Sequence, residues 1–307
     1  MPGKDLPTKA LFKCPGLGKM DCQPSKSTPM EKKILLTHCP DAKGLIAKIT
    51  NICYKHQLNI TRNNEFVDRE NGRFFMRTEL NGIFNDETLL ADLDDALPQG
   101  AKRRLVNAGR KKVVILVTKE AHALGDILMK CFEGALDVEI AAVIGNYDNL
   151  GQLVGKFGIP FHHVPHQGLS RPEHEAALTA AIDSYGPDYL VLAKFMRILT
   201  PDFVAQYPHR IINIHHSFLP AFIGANPYRQ AFERGVKMIG ATAHFVTDDL
   251  DEGPIIEQDV THVSHVYSAT DMAKAGRDVE KSVLSRALQL VLDEKVFVYG
   301  NKTVVFK

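Results

Sequence analysis

The hydrophobic pattern divides the chain into three regions. Residues 1–30 are rich in Pro, Gly, Lys and Ser and have no periodicity, which predicts an N-terminal extension that does not pack. Residues 31–108 contain short strands with two amphipathic helices between them. Residues 111–307 contain continuous apolar strands that alternate with helices. The pattern therefore predicts two α/β domains joined by a short linker.

The first domain has six elements. Alternating or apolar runs predict strands at KILLTHC, LNITRNNEFVD and GRFFMRTEL and near Lys102, and helices at KGLIAKITNICYKHQ and NDETLLADLDDAL, the latter capped by Asn85. The order βαββαβ predicts a ferredoxin-like sheet with two helices on one face. Because this region lacks a cluster of acids, bases or nucleophiles, we do not expect it to be the catalyst.

The second domain alternates strands and helices. KVVILVT, EIAAVIG, FHHV and YLVLA are predicted strands, and HALGDILMKCFEG, LGQLVGKFG and residues 172–185 are predicted helices. VEKSVLSRALQLVLDEK predicts a long amphipathic helix, which a closing hairpin around Gly300 follows. This alternation predicts a mainly parallel, doubly wound, Rossmann-like sheet, whose ligands bind at the carboxyl ends of the strands.

Residues 211–258 carry the candidate chemistry. An apolar strand ends with Asn213 and His215, which lie two residues apart and so share one face. An acidic loop, DDLDEGP, places Asp251 just before a Gly-Pro turn. Taken alone, an Asn at a strand end is usually a turn or cap residue, and a single His is usually an ordinary core or surface residue. An acidic loop is usually only solvated. Together, however, the pattern predicts that an amide, an imidazole and a carboxylate converge.

The order of these features is similar to that of the folate-dependent formyltransferases. It includes SFLP after the histidine, a short helix and AHFVTDDLDEGPI. Residues 39–45, CPDAKGL, resemble the first loop of ACT domains. A formyltransferase-type domain behind an ACT-like domain resembles the hydrolytic members of the family, which release formate from 10-formyltetrahydrofolate. The resemblance implies a supply of formate for purine synthesis and a balance of one-carbon pools.

The resemblance also implies binding residues for the folate. One apolar wall of the pterin slot is expected from Met196, Ile198, Leu199, Phe203 and Val204, with Arg197 in the same loop, and the other wall from Val246 and Leu250. The remaining candidate substrate contacts are His122, Gly224, His244 and Thr247. Arg197 is alternatively a solvated cation, and Phe203 and Val204 are alternatively plain core.

In ACT domains an amino acid binds at this first loop. The resemblance implies a regulatory amino-acid site at Asp41, Gly44, Leu45 and Asn59, with backbone amides at the helix N-terminus receiving the carboxylate. The alternative is that Asp41 only caps the helix and that Gly44 relieves crowding. Paired ACT domains also imply a homo-oligomer, either a dimer or a tetramer.

Attack on a formyl carbon builds negative charge on its oxygen. Asn213 and a protonated His215 can stabilise that oxygen as hydrogen-bond donors, each worth about 3 kcal/mol. Asp251 either deprotonates the attacking water or keeps His215 charged, and the sequence leaves these proton roles open. The first βα turn, TKEAHALGD, lacks the glycines with which glycinamide ribonucleotide formyltransferases cradle a phosphate, and Glu120 would repel one.

Water is therefore the expected acceptor. Transfer of the formyl group to an amine and a non-catalytic role in sensing folate or an amino acid stay open as alternatives. Substitution of Asp251 by Asn separates enzyme from sensor, because an enzyme would retain folate binding and lose turnover.

Composition limits the partners. Lys and Arg number 37 against 36 for Asp and Glu, so no global field recruits nucleic acid or an anionic membrane. Apolar runs are too short to span a bilayer. Five cysteines without CxxC spacing favour a reducing, cytoplasmic location. HExxH spacing is missing, so we expect metal-free catalysis without a tightly bound cofactor.

Overall fold

The computed structural model describes residues 30–221 and 226–307. The expected N-terminal extension, up to residue 29, and the candidate Gly224 lie outside the described residues.

The first sheet has the predicted ferredoxin-like order. Its elements are β1 (Glu31–Pro40), α1 (Leu45–Lys55), β2 (Asn59–Asp68), β3 (Arg73–Gly82), α2 (Asp86–Ala96) and β4 (Lys102–Asn107). The strand order is β2-β3-β1-β4, and all three pairings are antiparallel. The predicted βαββαβ arrangement is confirmed.

Both helices of this domain cover one face of the sheet. In α1 the buried residues Leu45, Ile49 and Cys53 recur every four positions, which places them on one side of the helix. The side chain of Asn85 accepts a hydrogen bond from the Thr88 N–H at 3.2 Å, so Asn85 caps α2 as predicted. Local polar chemistry and apolar spacing therefore agree with the tertiary packing.

The second domain is built on a seven-stranded sheet. Its elements are β5 (Lys111–Val117), α3 (His122–Phe132), β6 (Val138–Gly145), α4 (Gly151–Gly155), β7 (Phe161–His163), α5 (Arg171–Asp183), β8 (Tyr189–Ala193), α6 (Pro201–Ala205), β9 (Ile211–His215), α7 (Pro227–Arg234), β10 (Met238–Phe245), β11 (Ile255–His262) and α8 (Ala269–Leu292). The strand order is β11-β10-β9-β8-β5-β6-β7. Strands β7, β6, β5, β8 and β9 are parallel, whereas β10 and β11 are antiparallel additions at one edge. The mainly parallel prediction is confirmed.

Three local features differ from the sequence prediction. No element was predicted at IIEQDVTH, whose alternation is weak, and this segment forms strand β11. Helix α8 begins at Ala269 rather than near Val279, because Ser268 and Asp271 form a capping box. Helix α4 is only five residues long.

The C-terminal hairpin joins the two domains. Strands β12 (Val296–Tyr299) and β13 (Lys302–Val305) confirm the predicted closing hairpin. The ring of Phe75 in β3 lies 5.7 Å from that of Phe297. Arg77, which is 2% exposed, donates hydrogen bonds to the backbone carbonyls of Asp293 and Glu294 just after α8. The first sheet is thus fixed to the end of the longest helix of the second domain.

Candidate active site

The structure brings together the three predicted catalytic side chains. Asn213 and His215 lie on one face of β9, at its carboxyl end. The loop after β10 returns Asp251, with φ 59°, towards them, and the Nδ1 atom of His215 lies 3.2 Å from Oδ1 of Asp251. A Cβ atom at Gly253 would lie 1.8 Å from the backbone oxygen of Phe245, so only glycine allows this close return.

Burial and charge set the state of this pair. The side chains of His215 and Asp251 are 6% and 11% exposed. Burial raises the pKa of Asp251, but the hydrogen bond from His215 and the charges of the neighbouring histidines lower it, and the net pKa falls below its usual range. Asp251 is therefore a carboxylate at neutral pH. The other ring nitrogen of His215, Nε2, is buried and makes no hydrogen bond to any described residue.

His244 supports Asn213 from behind. The two residues face each other across β9 and β10, and His244 is 2% exposed. Its Nδ1 lies 2.9 Å from the backbone oxygen of Phe245, so Nδ1 carries the hydrogen. Burial lowers the pKa of His244, so the ring is neutral and Nε2 accepts a hydrogen bond from the Asn213 amide at 3.2 Å. Both nitrogens thus have partners within the protein, and a substrate contact by His244 stays a prediction.

The loop after β8 presents apolar side chains on its surface. Met196 and Ile198 are 59% and 48% exposed, and Leu250 in the acidic loop is 52% exposed. The Met196 N–H donates to Thr118 Oγ1 at 3.0 Å, and the Thr200 N–H donates to Glu175 at 2.7 Å, so both ends of the loop are held. Arg197, Leu199, Val246 and Thr247 are half-buried. The folate slot stays a prediction at these four residues and at Met196, Ile198 and Leu250.

Two predicted wall residues belong to the core instead. Phe203 and Val204 are 1% and 6% exposed and pack in the cluster that contains Tyr207 and Leu199. Thr200 caps the short helix α6, which turns both side chains inwards. They support the loop from beneath, and the alternative interpretation as plain core is the correct one.

A second buried cluster lies beside the first one. Glu280 in α8 is 1% exposed, and one carboxylate oxygen lies 2.8 Å from His122 Nε2 and 3.4 Å from Lys194 Nζ. The Tyr228 hydroxyl donates to the other oxygen at 2.6 Å. Burial raises the pKa of Glu280, but the bonds to His122 and Tyr228 and the charge of Lys194 outweigh it and lower the pKa to about 2. We call these four residues the Glu280 cluster.

The sequence analysis missed Glu280, Lys194 and Tyr228 as members of this site. One signal was available at Gly276, four residues before Glu280 on the same face of α8. A Cβ atom at Gly276 would lie 2.1 Å from the Tyr228 hydroxyl, so this glycine makes room for the tyrosine. The candidate His122 is hydrogen-bonded to Glu280 within the cluster, and its contact with a substrate stays a prediction.

His216 lies between the two clusters. Its ring centroid is 5.1 Å from that of His215 and 6.1 Å from that of Tyr228. Burial, followed by the positive charge of Lys194, lowers the pKa of His216 to about 4. His216 is therefore neutral at physiological pH and separates the two charged clusters.

The predicted regulatory loop lies just before α1, and the amino-acid site there stays a prediction. Gly44 is the N-cap of α1 with φ 80°, and no side chain caps this helix, so the alternative that Asp41 caps it is wrong. Asp41 and Asn59 are exposed, and Asn59 begins the edge strand β2. Leu45 is 2% exposed in the core, so only its backbone can contact a ligand.

The described part of the chain contains no group of three or more His, Cys, Asp or Glu side chains that could hold a metal ion. Within the same residues, no helix is both long enough and apolar enough to cross a bilayer.

Comparison with known proteins supports both halves of this architecture. Residues 111–288 match the formyl transferase family model, and residues 33–97 match the ACT domain model. The formyltetrahydrofolate deformylase of Escherichia coli O6:H1 is 70% identical over 276 residues, covering 90% of this chain and 99% of that protein. The Bacillus subtilis deformylase is 44% identical over 283 residues, covering 90% of this chain and 94% of its own.

Solved structures give the same relationship. A formyltetrahydrofolate deformylase from Pseudomonas syringae matches with a TM-score of 0.85 and 39% identity, covering 92% of this chain and 96% of the other. A glycinamide ribonucleotide transformylase from Symbiobacterium toebii matches with a TM-score of 0.63 and 31% identity, but covers only 66% of this chain and 97% of its own. The match to the deformylases thus extends over both domains, and the chain belongs to the formyltetrahydrofolate deformylase family.

Proposed function

We propose that this protein hydrolyses 10-formyltetrahydrofolate to tetrahydrofolate and formate at the site formed by Asn213, His215 and Asp251. One structural observation supports the proposal independently of the family relationship. A buried imidazole is held by an ionised carboxylate through Nδ1, while its Nε2 makes no hydrogen bond to a described residue. Leaving a buried polar atom unsatisfied costs about 1–3 kcal/mol, so such an atom indicates a ligand position.

The geometry supports a direct sequence of steps. Water adds to the formyl carbon, and Asp251, a carboxylate at neutral pH, accepts its proton. The oxygen of the formyl group gains negative charge and receives hydrogen bonds from Asn213 and from His215 Nε2. The bond between carbon and N10 then breaks, N10 takes a proton returned through His215, and formate leaves. The fixed tautomer of His244 holds the Asn213 amide in its donor orientation.

The Glu280 cluster supports water rather than an amine as the acceptor. Its buried carboxylate is contacted by His122, Lys194 and Tyr228, so an incoming ammonium group would have to compete with these three partners. Glu120 lies 3.5 Å from His122 and 3.3 Å from Arg277, so an incoming phosphate would have to compete with this carboxylate for both groups. We infer that this side of the site is closed to a phosphorylated amine.

The folate slot is part of the proposal. The exposed side chains of Met196, Ile198 and Leu250 flank the site and provide apolar surface for a pterin. Val246, Thr247, Leu199 and Arg197 extend the same surface.

Within this proposal, residues 31–108 form the regulatory domain and residues 111–307 form the catalytic domain.

The regulatory and cellular parts of the proposal rest on the first loop of the ACT domain, an edge strand and the free thiols. An amino acid would bind at the loop of Asp41 and Gly44, where Gly44 has open space before it. The exposed edge strand β2 supports assembly into a dimer or tetramer. Free thiols at Cys39, Cys53 and Cys131 support action in the reducing cytoplasm, where the formate would serve purine synthesis.

The direct test measures formate release from 10-formyltetrahydrofolate by purified protein with no amine added. Asp251→Asn should abolish turnover by about 100- to 10,000-fold while folate binding remains. Asp249→Asn is the matched control, because Asp249 is exposed in the same loop, and it should retain activity. Failure of the well-folded wild-type protein to release formate, or undiminished release by Asp251→Asn, would contradict the proposal.

A further inference from the structure

A large cleft lies between the two domains. It is at the amino-terminal ends of the parallel catalytic strands, whereas the active site is at their carboxyl ends. Its volume is about 680 Å³, which falls within the range of sites for drug-sized ligands, roughly 300–1,000 Å³. The ACT side contributes β1 and β4, and the catalytic side contributes the amino-terminal ends of β5, β8 and β9, the end of α8 and β12. We call it the interdomain cleft.

The interdomain cleft carries excess positive charge. Four cations line it on the cleft side, namely Lys102, Arg104, Lys111 and Arg210, against two carboxylates, Asp188 and Glu294. Arg103 also lines the cleft, but its guanidinium pairs with Asp94 of α2 on the other side of the ACT sheet. Glu294 is 4% exposed and is already paired with Arg104 at 2.6 Å and Lys111 at 3.2 Å. Asp188 accepts the backbone N–H of Lys112 at 2.7 Å. Within the described residues Lys102 and Arg210 have no ion-pair partner, so their charge is available to a ligand.

Two polar atoms from the lining residues are also unsatisfied. His38 Nε2 and Arg103 Nε are buried, and neither has a hydrogen-bond partner in residues 30–221 or 226–307. The His38 ring is fixed by stacking on Phe75, with the centroids 4.7 Å apart. Arg103 is held at its tip by Asp94. The His38 ring lies on the cleft side of the ACT sheet, so an anion in the interdomain cleft can accept a hydrogen bond from its Nε2. The Arg103 side chain points to the other side of the sheet, where α2 carries Asp94, and does not serve the cleft.

We propose that the interdomain cleft is a binding site for an organic phosphate, a phosphate or pyrophosphate group carried on an aromatic body. The guanidinium group of Arg210 matches the paired oxygens of a phosphate, and Lys102 adds a second unpaired cation. Tyr189, Phe297 and Pro187 provide flat apolar surface for the rest of the ligand. The volume exceeds what an inorganic anion needs, and the charge excess exceeds what one carboxylate would neutralise.

The position of the cleft gives an occupant a route to the catalytic strands. Arg210 immediately precedes β9, which ends in Asn213 and His215. Phe245 lines the cleft, and its backbone oxygen accepts the hydrogen bond that fixes His244. An occupant of the cleft would therefore contact one end of β9 and one end of β10, the strands that carry Asn213, His215 and His244. This effector role rests on the proposed function, whereas binding itself does not.

The first experiment measures binding by isothermal titration calorimetry to the full chain, with ATP as the probe. ATP should bind, and the double variant Lys102→Ala/Arg210→Ala should weaken binding at least tenfold. The charge-matched control, Lys32→Ala/Arg171→Ala, removes an exposed lysine from the same ACT sheet and an exposed arginine from α5, and should bind as wild type does. Absence of ATP binding at millimolar concentration, or equal loss in both double variants, would overturn the proposal.

Two further probes define the ligand class. Pyrophosphate supplies the anionic group without the aromatic body and should bind more weakly than ATP. Citrate supplies carboxylates of comparable charge and should bind more weakly still. Binding of pyrophosphate as tight as that of ATP would overturn the aromatic part of the assignment, and tighter binding of citrate would overturn the phosphate part.

The final arm measures formate release at subsaturating substrate with and without ATP. We expect at least a twofold change in kcat/KM for wild type and for the control variant, and no change for Lys102→Ala/Arg210→Ala, whose basal activity should remain. Competitive inhibition by ATP that persists in the double variant would place the nucleotide at the active site and would overturn the effector role. If no formate is released at all, the proposed function fails while the calorimetric result still decides the binding site.

Discussion

Two buried clusters with similar components lie side by side at the carboxyl edge of the catalytic sheet. Each contains a carboxylate against an imidazole, with His215 3.2 Å from Asp251 and His122 2.8 Å from Glu280. The Glu280 cluster adds Lys194 and Tyr228, which occupy the remaining positions around the carboxylate. In the other cluster His215 Nε2 has no partner among the described residues. The residue types are similar in the two clusters. The structural cluster differs from the reactive one because its hydrogen-bonding groups all have partners within the protein.

The largest expected effect on stability comes from the Glu280 cluster. Glu280→Gln removes the charge that compensates a buried Lys194, so the free energy of unfolding should fall by about 3–5 kcal/mol. The control is Glu233→Gln, which breaks an exposed pair with Arg229 and should cost at most about 1 kcal/mol. Urea denaturation measures both. A stable Glu280→Gln variant that had lost all turnover would break the comparison, because it would make Glu280 catalytic.

The reactive cluster should show the opposite profile. Asn213→Ala removes a donor to the developing oxyanion, so kcat should fall about 100- to 1,000-fold. It also leaves the buried Nε2 of His244 without its hydrogen bond, so the unfolding free energy should fall by only about 1–3 kcal/mol. Steady-state formate release, compared with urea denaturation of the same sample, measures the two effects. Retained kcat would remove Asn213 from the proposed mechanism. A stability loss as large as that of Glu280→Gln would assign Asn213 a structural role.

The histidine between the clusters predicts a pH dependence of stability. The pKa of His216 is about 4 in the folded protein, against 6.5 for the free group. As the pH falls below 6.5, the unfolded chain binds the proton first, so stability is lost between pH 6.5 and about 4. Each pH unit costs about 1.4 kcal/mol for one such group, or roughly 2 kcal/mol between pH 6.5 and 5.

His216→Gln should reduce this loss by that amount. Urea denaturation at pH 7 and pH 5 measures the difference between the variant and wild type, which removes the contributions of the other buried histidines. Equal pH dependence in the two proteins would show that His216 titrates normally and that the two clusters are not separated by a neutral ring.

The smallest effect sharpens the packing argument. Gly276→Ala places a methyl group against the Tyr228 hydroxyl and should destabilise the protein by about 1–3 kcal/mol. Gly125→Ala in α3 is the matched control, because a Cβ atom there meets nothing within 4 Å, and it should stabilise by up to about 1 kcal/mol. Thermal unfolding measures both. Stabilisation by both substitutions would show that Tyr228 moves without cost.

Much of the fold follows from local patterns. Period-two and apolar runs predicted β1, β3, β5 and β8, and the spacing of apolar residues predicted α1. The prediction was wrong where local signals were weak or non-local packing decided the outcome. Strand β11 forms because β10 pairs with it, and Phe203 and Val204 turn inwards because α6 packs on the sheet.

The sequence by itself determined the order of the elements and the proximity of Asn213 to His215, because both are set by spacing within one strand. It also indicated Asp251 through the Gly-Pro turn of its loop. Only the tertiary structure decided the partner of each buried polar group. His122, Lys194 and Tyr228 reach Glu280 from other elements, 158, 86 and 52 residues away in the chain. No local pattern specifies such pairings, because they arise where separate elements pack, and the interdomain cleft exists for the same reason.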